Sequence, residues 1–328
     1  LGRRHRPSGW HLGPRLWRNP AANQHRPISM NWQAWLALLA GTAALVALWS
    51  LTGARWRFAV VRGEAAVLPK GSAPIRVLHI SDIHMAPWQK RKQRFISGLI
   101  AEKPDLVVNT GDNLGHKHVV DETLSALQPI MDVAGVFVNG SNDYFAPRFK
   151  SPVAYLFKPS TPHQEQPLDT AKLNSAFEAR AWRNLNNSST TLEINSVKLA
   201  LIGVDDAHLD LDDLESLDQT AGIRERADVV IGVSHAPYRR VIEAMAENEV
   251  DILFAGHTHG GQVRFPFVGA LTTNSDLPTK NAKGMSAWSF GKRVMLLNVC
   301  AGLGNSIFAP IRLFNRPEVR LITLVAKS

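Results

Sequence analysis

Five short clusters of Asp, His and Asn, each placed directly after a short apolar run, constrain this chain more than any other feature. The first is Ser81-Asp82-Ile83-His84, after Ile75–Ile80. Thr110-Gly111-Asp112-Asn113 follows Leu106–Asn109, and Gly140-Ser141-Asn142-Asp143 follows Val136–Asn139. Ser234-His235-Ala236-Pro237 follows Val229–Val233, and Gly256-His257-Thr258-His259-Gly260-Gly261-Gln262 follows Ile252–Ala255. The runs have the length and Val/Ile/Leu content of buried strands, and Lys198–Gly203 and Val294–Val299 read the same way. Helical spacing lies between several of them, over Phe95–Ala101, Thr123–Met131, Ala171–Leu185 and Pro237–Ala246. This alternation predicts an α/β fold. Thr191–Asn195 and Lys198–Gly203, joined around Asn195-Ser196, read as a hairpin, so the sheet is expected to be mixed.

In open α/β sheets, sites assemble at the carboxyl ends of the strands. Any one of these clusters alone would be an ordinary turn or a surface His. Together they bring Asp82, His84, Asp112, His235, His257 and His259 to one edge. At a strand end, residues i and i+2 project to the same side, which would let Asp82 and His84 converge on a cation. The glycines around His257 and His259 permit close backbone approach. Six nitrogen and oxygen ligands without sulfur are too many for one tetrahedral ion and suit two ions sharing a carboxylate bridge. Cys300 is the only cysteine, which excludes an intrachain disulfide and a thiolate cluster.

The N-terminal region has a different character. Residues 1–29 carry six Arg (Arg3, Arg4, Arg6, Arg15, Arg18, Arg26) and no Asp or Glu, which is most of the formal net charge of +9. They read as a basic disordered leader, with Met30 as an alternative start. Because the excess charge sits there, it argues little for a nucleic-acid footprint on the folded part. Trp35–Leu51 is an uncharged apolar run with Trp35 and Trp49 near its ends, as expected of an uncleaved membrane anchor. A cleaved signal peptide and a core helix are the competing readings. A start at Leu1 would leave the domain outside; a start at Met30 would let Arg55, Arg57 and Arg62 draw it into the cytoplasm. The expected organisation is leader 1–29, anchor 30–54, linker 55–74 and catalytic domain 75–328. Residues 144–170 read as a long loop, with Tyr155-Leu156-Phe157 as a candidate lipid contact.

The ordered blocks resemble the calcineurin-like metallophosphoesterase superfamily, whose signature runs D-x-H, G-D, G-N-H-D, H and G-H-x-H. Four blocks stand unaltered: Asp82-Ile83-His84, Gly111-Asp112, His235 and Gly256-His257-Thr258-His259. Gly302-Leu303-Gly304-Asn305 and Arg316-Pro317-Glu318 are similar to its membrane-associated bacterial branch. The resemblance implies a four-layer α/β/β/α sandwich of two mixed sheets flanked by helices. It also implies two divalent cations (Mn, Fe, Zn or Co), with Asp82, His84 and His259 on the first, His235 and His257 on the second, and Asp112 bridging. A metal-activated hydroxide would then attack phosphorus in a phosphomonoester or phosphodiester, lipid-linked or nucleotide-diphospho substrates included.

The third block departs from the pattern. Ser141 stands at the amide-ligand position and Asn142 at the general-acid imidazole. Two readings follow: Asn142 ligates the second metal, which is favoured, or Ser141 or water fills that position while Asn142 binds phosphate. His116 and His118 are the candidate replacement acids. The alternatives to an active enzyme of this kind are a metal-binding scaffold that has lost catalysis and a nuclease of the same superfamily.

Overall fold

A computed structural model describes residues 31–147, 166–220 and 222–328; the basic leader and Tyr155-Leu156-Phe157 lie outside the described residues. The strands, in chain order, are β1 (Ala59–Leu68), β2 (Ile75–Ile80), β3 (Leu106–Asn109), β4 (Gly135–Phe137), β5 (Arg183–Asn184), β6 (Ser188–Ile194) and β7 (Val197–Gly203). They continue with β8 (Val229–Ser234), β9 (Ile252–Ala255), β10 (Arg264–Phe265), β11 (Gly269–Ala270), β12 (Gly284–Phe290), β13 (Arg293–Val299) and β14 (Glu318–Ala326). The α-helices are α1 (Trp32–Thr52), α2 (Lys90–Ser97), α3 (Val120–Leu127), α4 (Ser141–Tyr144), α5 (Thr170–Glu178) and α6 (Arg239–Glu247).

Two six-stranded mixed sheets form the core, with orders β1-β14-β2-β3-β4-β5 and β12-β13-β9-β8-β7-β6. The pleat explains why their central strands are apolar throughout. Ile75 and Val77 of β2, Leu106 and Val108 of β3, Ile231 and Val233 of β8, and Ile252 and Phe254 of β9 share one buried cluster between the sheets. The alternate residues of the first sheet, such as Leu78, Ile80 and Val107, pack with Ile96 of α2, Leu127 of α3 and Phe177 of α5. Those of the second, such as Ile202, Val230 and Leu253, pack with Val241, Ile242 and Met245 of α6. Both faces of each sheet are covered, so the strands need no polar side. The result is the four-layer α/β/β/α sandwich. Each large aliphatic side chain so buried contributes about 1.5–3 kcal/mol.

The expected hairpin is present: β6 and β7 pair antiparallel with Ile194 opposite Val197. Asn195 and Ser196 both take left-handed backbone, φ 51° and 62°, as a tight two-residue hairpin turn requires. Other expectations need correction. The linker 55–74 contains β1, which runs parallel to β14 from Ala59 opposite Glu318 to Leu68 opposite Ala326. Arg62, Gly63 and Glu64 interrupt its apolar pattern, as an edge strand tolerates. The helix expected over Ala171–Leu185 ends at Glu178. Ala181 turns left-handed, and the amide of Trp182 folds back onto the Phe177 carbonyl, so Arg183–Asn184 joins the sheet instead. Pro129 lacks an amide hydrogen and stands where α3 gives way to a 3₁₀ turn.

The chain divides into two compact units, Leu1–Ala44 and Leu45–Ser328, and both sheets belong to the second. The described residues of the first are helical except Asn31. Helix α1 has 21 residues, about 32 Å at 1.5 Å per residue, which is long enough to cross a bilayer. Its large apolar side chains, including Leu36, Leu39, Leu45 and Leu48, are exposed.

Candidate metal centre

The parallel strands β2, β3 and β4 of one sheet and β8 and β9 of the other end at the same edge, where all five clusters sit. Asp82, His84, Asp112 and His259 converge there: each offers one ligand atom, all within 4.8 Å of one another, and all four are buried. Asp112 Oδ2 is 3.3 Å from His84 Nε2 and 3.6 Å from His235 Nε2. His259 Nε2 is 3.7 Å from Asp82 Oδ1, and His257 Nδ1 is 3.3 Å from His235 Nε2. One carboxylate oxygen thus stands between imidazoles contributed by different sheets.

Convergence is not achieved by the pleat alone. β2 ends at Ile80, before Asp82. Asp82, His84, Asp112, His257 and His259 have φ of 46°, 42°, 55°, 65° and 49°. A non-glycine residue in this region costs on the order of 1–3 kcal/mol unless its surroundings fix it. Here the two loops brace each other. The amides of Asp82, His84 and Met85 donate to the carbonyls of Gly111, Asp112 and Asn113 at 2.9 Å each, extending the β2–β3 pairing past the strand ends. Gly256 is required by close approach, since a Cβ there would run into Ser81 Oγ.

The hydrogen bonds also fix which ring nitrogens face the cluster. The carbonyl of Thr110 accepts from His235 Nδ1 (2.7 Å), so Nε2 is the nitrogen that faces Asp112 and that a cation would take in place of its proton. His257 Nε2 lies 3.0 Å from the carbonyl and 3.1 Å from the side-chain Nδ2 of Asn274, which leaves Nδ1 facing His235. Neither ring nitrogen of His84, nor Nδ1 of His259, has a hydrogen-bond partner, although all are buried. Unpartnered buried nitrogens beside two carboxylates fit cations.

The electrostatics agree. Burial lowers His84 to about 4 and drives His257 and His259 down too, so these imidazoles are neutral and ligand-competent at neutral pH. Burial raises Asp82 to about 6. Burial also acts to raise Asp112, but the imidazoles of His235 and His84 outweigh it and hold that carboxyl well below its usual range. His235 is the converse: burial lowers it, yet Asp112, Asp206 and Asp82 push it up to about 9. The cluster therefore demands positive charge.

The third block lies on α4. The backbone amide of Asn142 donates to Asp112 Oδ1 (2.7 Å) and its side-chain Nδ2 to Asp112 Oδ2 (2.8 Å), while Ser141 Oγ is 3.4 Å from that Nδ2. Asp143 is structural: its carboxylate accepts from the amides of Asn113 (2.8 Å) and Gly140 (3.1 Å), tying the second block to the third. His116 and His118 follow Gly115, whose amide donates to the carbonyl of Met85 (2.9 Å). His118 is exposed, and His116 packs edge-on against the exposed Trp88 with ring centres 5.5 Å apart. Neither makes a hydrogen bond to the six clustered residues.

Sequence reasoning missed His208, which is 8% exposed. Its ring centre is 4.6 Å from that of His257, and its Nδ1 is 2.9 Å from Tyr238 Oη. The signal was available, because Asp206-Ala207-His208 repeats the Asp-x-His pattern shortly after β7. Two buried cations were missed as well. Lys92 Nζ donates to the carbonyl of Ile83 (2.6 Å), and the Arg312 guanidinium to those of Ala301 and Gly304 (2.7 Å each). Nothing in the local pattern of Lys90–Arg94 marks Lys92 as buried.

Residues 75–261 match the model of the calcineurin-like phosphoesterase family, and the chain belongs to that family. It is a metallophosphoesterase, a hydrolase acting on phosphoester bonds. Among its relatives are the uncharacterised protein YpbG of Bacillus subtilis, 28% identical over 78% of this chain and 83% of that protein, and the phosphodiesterase YaeI of Escherichia coli, 25% identical over 82% and 88%. Among solved structures, the NAD nucleotidase of Haemophilus influenzae is similar with a TM-score of 0.44 and 12% identity. That match covers 71% of this chain and 51% of the nucleotidase.

Proposed function

We propose that the chain hydrolyses phosphodiesters at a dinuclear centre, with Asp82, His84 and His259 on one cation, His235, His257 and Asn142 on the other, and Asp112 shared. The observation that carries this reading is the placement of Asp112 Oδ2 between His84 Nε2 (3.3 Å) and His235 Nε2 (3.6 Å). Two divalent cations would supply Lewis acidity toward the phosphoryl oxygens and a water activated at neutral pH. The chain's own contributions are distinct. Thr110 and Asn274 orient the imidazoles of His235 and His257 so that His235 Nε2 and His257 Nδ1 face the other candidate ligands. Asn142 holds Asp112 through two hydrogen bonds, and a half-turn of its amide presents oxygen in place of nitrogen. With Asn142 where the family carries an imidazole, the leaving group must depart without that proton. This favours substrates whose leaving group is already stable as an anion. His116 and His118 are the candidate replacement acids, and Gly115 beside His116 packs against the backbone of His84.

Helix α1 supports a membrane-anchored enzyme, and so a lipid-derived phosphodiester as substrate. The relative named a phosphodiesterase is in keeping with a diester. Purified full-length chain is expected to turn over bis-p-nitrophenyl phosphate with Mn²⁺ and to lose that activity on chelation or in Asp112→Ala. Metal-independent turnover, or full activity in the variant, would rule the reading out. The altered third block favours one second reading, a binding scaffold, which predicts two bound cations by elemental analysis and no turnover.

A further inference from the structure

A cleft of about 610 Å³ is lined by none of the candidate ligands. Four guanidinium groups surround it: Arg57, which closely follows α1; Arg91 and Arg94 on α2; and Arg316, just ahead of β14. All four residues are exposed. Among the described residues, none of the four forms an ion pair with a carboxylate. Arg316 instead donates to the carbonyls of Arg57 (2.7 Å) and Phe58 (3.2 Å), which fixes its position against the others. Like charges gathered this way repel, and nothing within the described fold neutralises them.

The remaining walls are aromatic. Trp56, Phe58 and Phe95 line the cleft, with Phe58 and Phe95 ring centres 5.3 Å apart and Trp56 and Phe58 6.5 Å apart. Aromatic bodies beside guanidiniums suit a boundary between apolar and charged surroundings. The cleft stands at such a boundary. Trp56 is four residues beyond the last residue of α1, Thr52, and the carbonyl of Ser50 in the last turn of α1 accepts from the amide of Arg312 (3.2 Å). The end of the long apolar helix is therefore fastened to the folded domain next to these arginines.

We infer that this cleft binds the phosphate of an anionic lipid headgroup at the membrane surface. Guanidinium forks match phosphate oxygens in bidentate geometry, and basic side chains near an anionic leaflet each contribute measurably to attachment. The inference rests on the reading of α1 as a membrane anchor. Its effect would be to hold the domain at a fixed orientation on the bilayer, so that the catalytic edge meets substrate at a constant height.

The test uses full-length chain in a neutral detergent, titrated by isothermal calorimetry. The probes are dihexanoyl phosphatidylglycerol, dihexanoyl phosphatidylcholine, inorganic phosphate and a short single-stranded DNA. The expected result is saturable binding of one phosphatidylglycerol per chain, weak binding of the other three, and roughly 30-fold weaker phosphatidylglycerol binding in Arg91→Ala/Arg94→Ala. That double variant is expected to keep its metal-stimulated turnover of bis-p-nitrophenyl phosphate, which shows that it is folded. Equal affinity for the two lipids, or an unchanged affinity in the double variant, overturns the proposal. Phosphate binding as tightly as phosphatidylglycerol overturns the lipid source, and DNA binding more tightly assigns the cleft to nucleic acid. Fractionation of cells expressing the chain tests the anchor separately. Recovery in the soluble fraction removes the anchor reading, whereas a membrane-bound chain with no lipid preference removes only the headgroup site.

Discussion

Asn142 and Ser141 are the residues at which this chain departs from the signature of its family, and the geometry of Asn142 bears on what the change does. Both of its nitrogens donate to the Asp112 carboxylate, at 2.7 and 2.8 Å, so it braces that carboxylate, and an amide cannot serve as the general acid. Restoring an imidazole should therefore act selectively. In Asn142→His, turnover of diesters with alkyl leaving groups is expected to rise, by up to the roughly 10²–10⁴-fold that general acid catalysis supplies. Turnover of bis-p-nitrophenyl phosphate should change little, because nitrophenolate leaves unaided. Steady-state rates on the two substrates check this, and equal changes on both would count against it.

At the scale of elements, the turn after β9 carries the most chemistry in the least chain. Gly256 lets it pass against the turn after β2, and an added Cβ would press on Ser81 Oγ and crowd the Asp82 carboxylate. Gly256→Ala is expected to cost about 1–3 kcal/mol of stability and to lower metal content below that of wild type, read by urea melts and elemental analysis. The central strands were legible because both of their faces are buried, which makes each an unbroken apolar run. So were Asp82, His84, Asp112, His235, His257 and His259, because each cluster follows such a run. β1, β5, β12 and β14 were not. Three of them lie at sheet edges, where one face admits polar residues. β14 is buried, but Arg320 and Thr323 break its pattern. The left-handed backbone of the ligand loops was also illegible, since it is imposed by pairing with a neighbouring loop rather than by local preference.

Across the whole molecule, the two sheets are joined by polar contacts within their apolar interface. His79 of β2 is buried, with Asn298 of β13 donating to its Nδ1 (2.9 Å), so its Nε2–H donates to Thr110 Oγ1 (3.0 Å). Burial and the neighbouring Arg320 guanidinium depress this imidazole to about 3. Because the folded value lies below the unfolded one, the unfolded chain binds more protons between about pH 6.5 and 3. The contribution to stability is intact above that window and falls as pH drops through it. His79→Gln keeps a donor and an acceptor but does not titrate. Its urea midpoint is expected to fall less than that of wild type between about pH 7 and 4.5, and parallel decreases would contradict the assignment. Metal removal acts at the same scale. Cations that bind only the folded chain at a hundred times their dissociation constant add about 2.7 kcal/mol. Chelation of one such cation is therefore expected to lower the melting temperature by roughly 4–5 °C, as thermal scans with and without chelator would show.

The division of the candidate ligands between the sheets has a consequence for how the enzyme comes into being. Asp82, His84 and Asp112 belong to loops of one sheet, and His235, His257 and His259 to loops of the other. Neither half of the sandwich has a complete ligand set, and β14 must return from the far end of the chain to complete the first sheet. If these six residues hold the cations, hydrolytic capacity is expected only once both halves have docked in register. On the proposed ligand set, an incompletely folded chain would be inert toward phosphoesters, and the acquisition of activity would report that folding is finished.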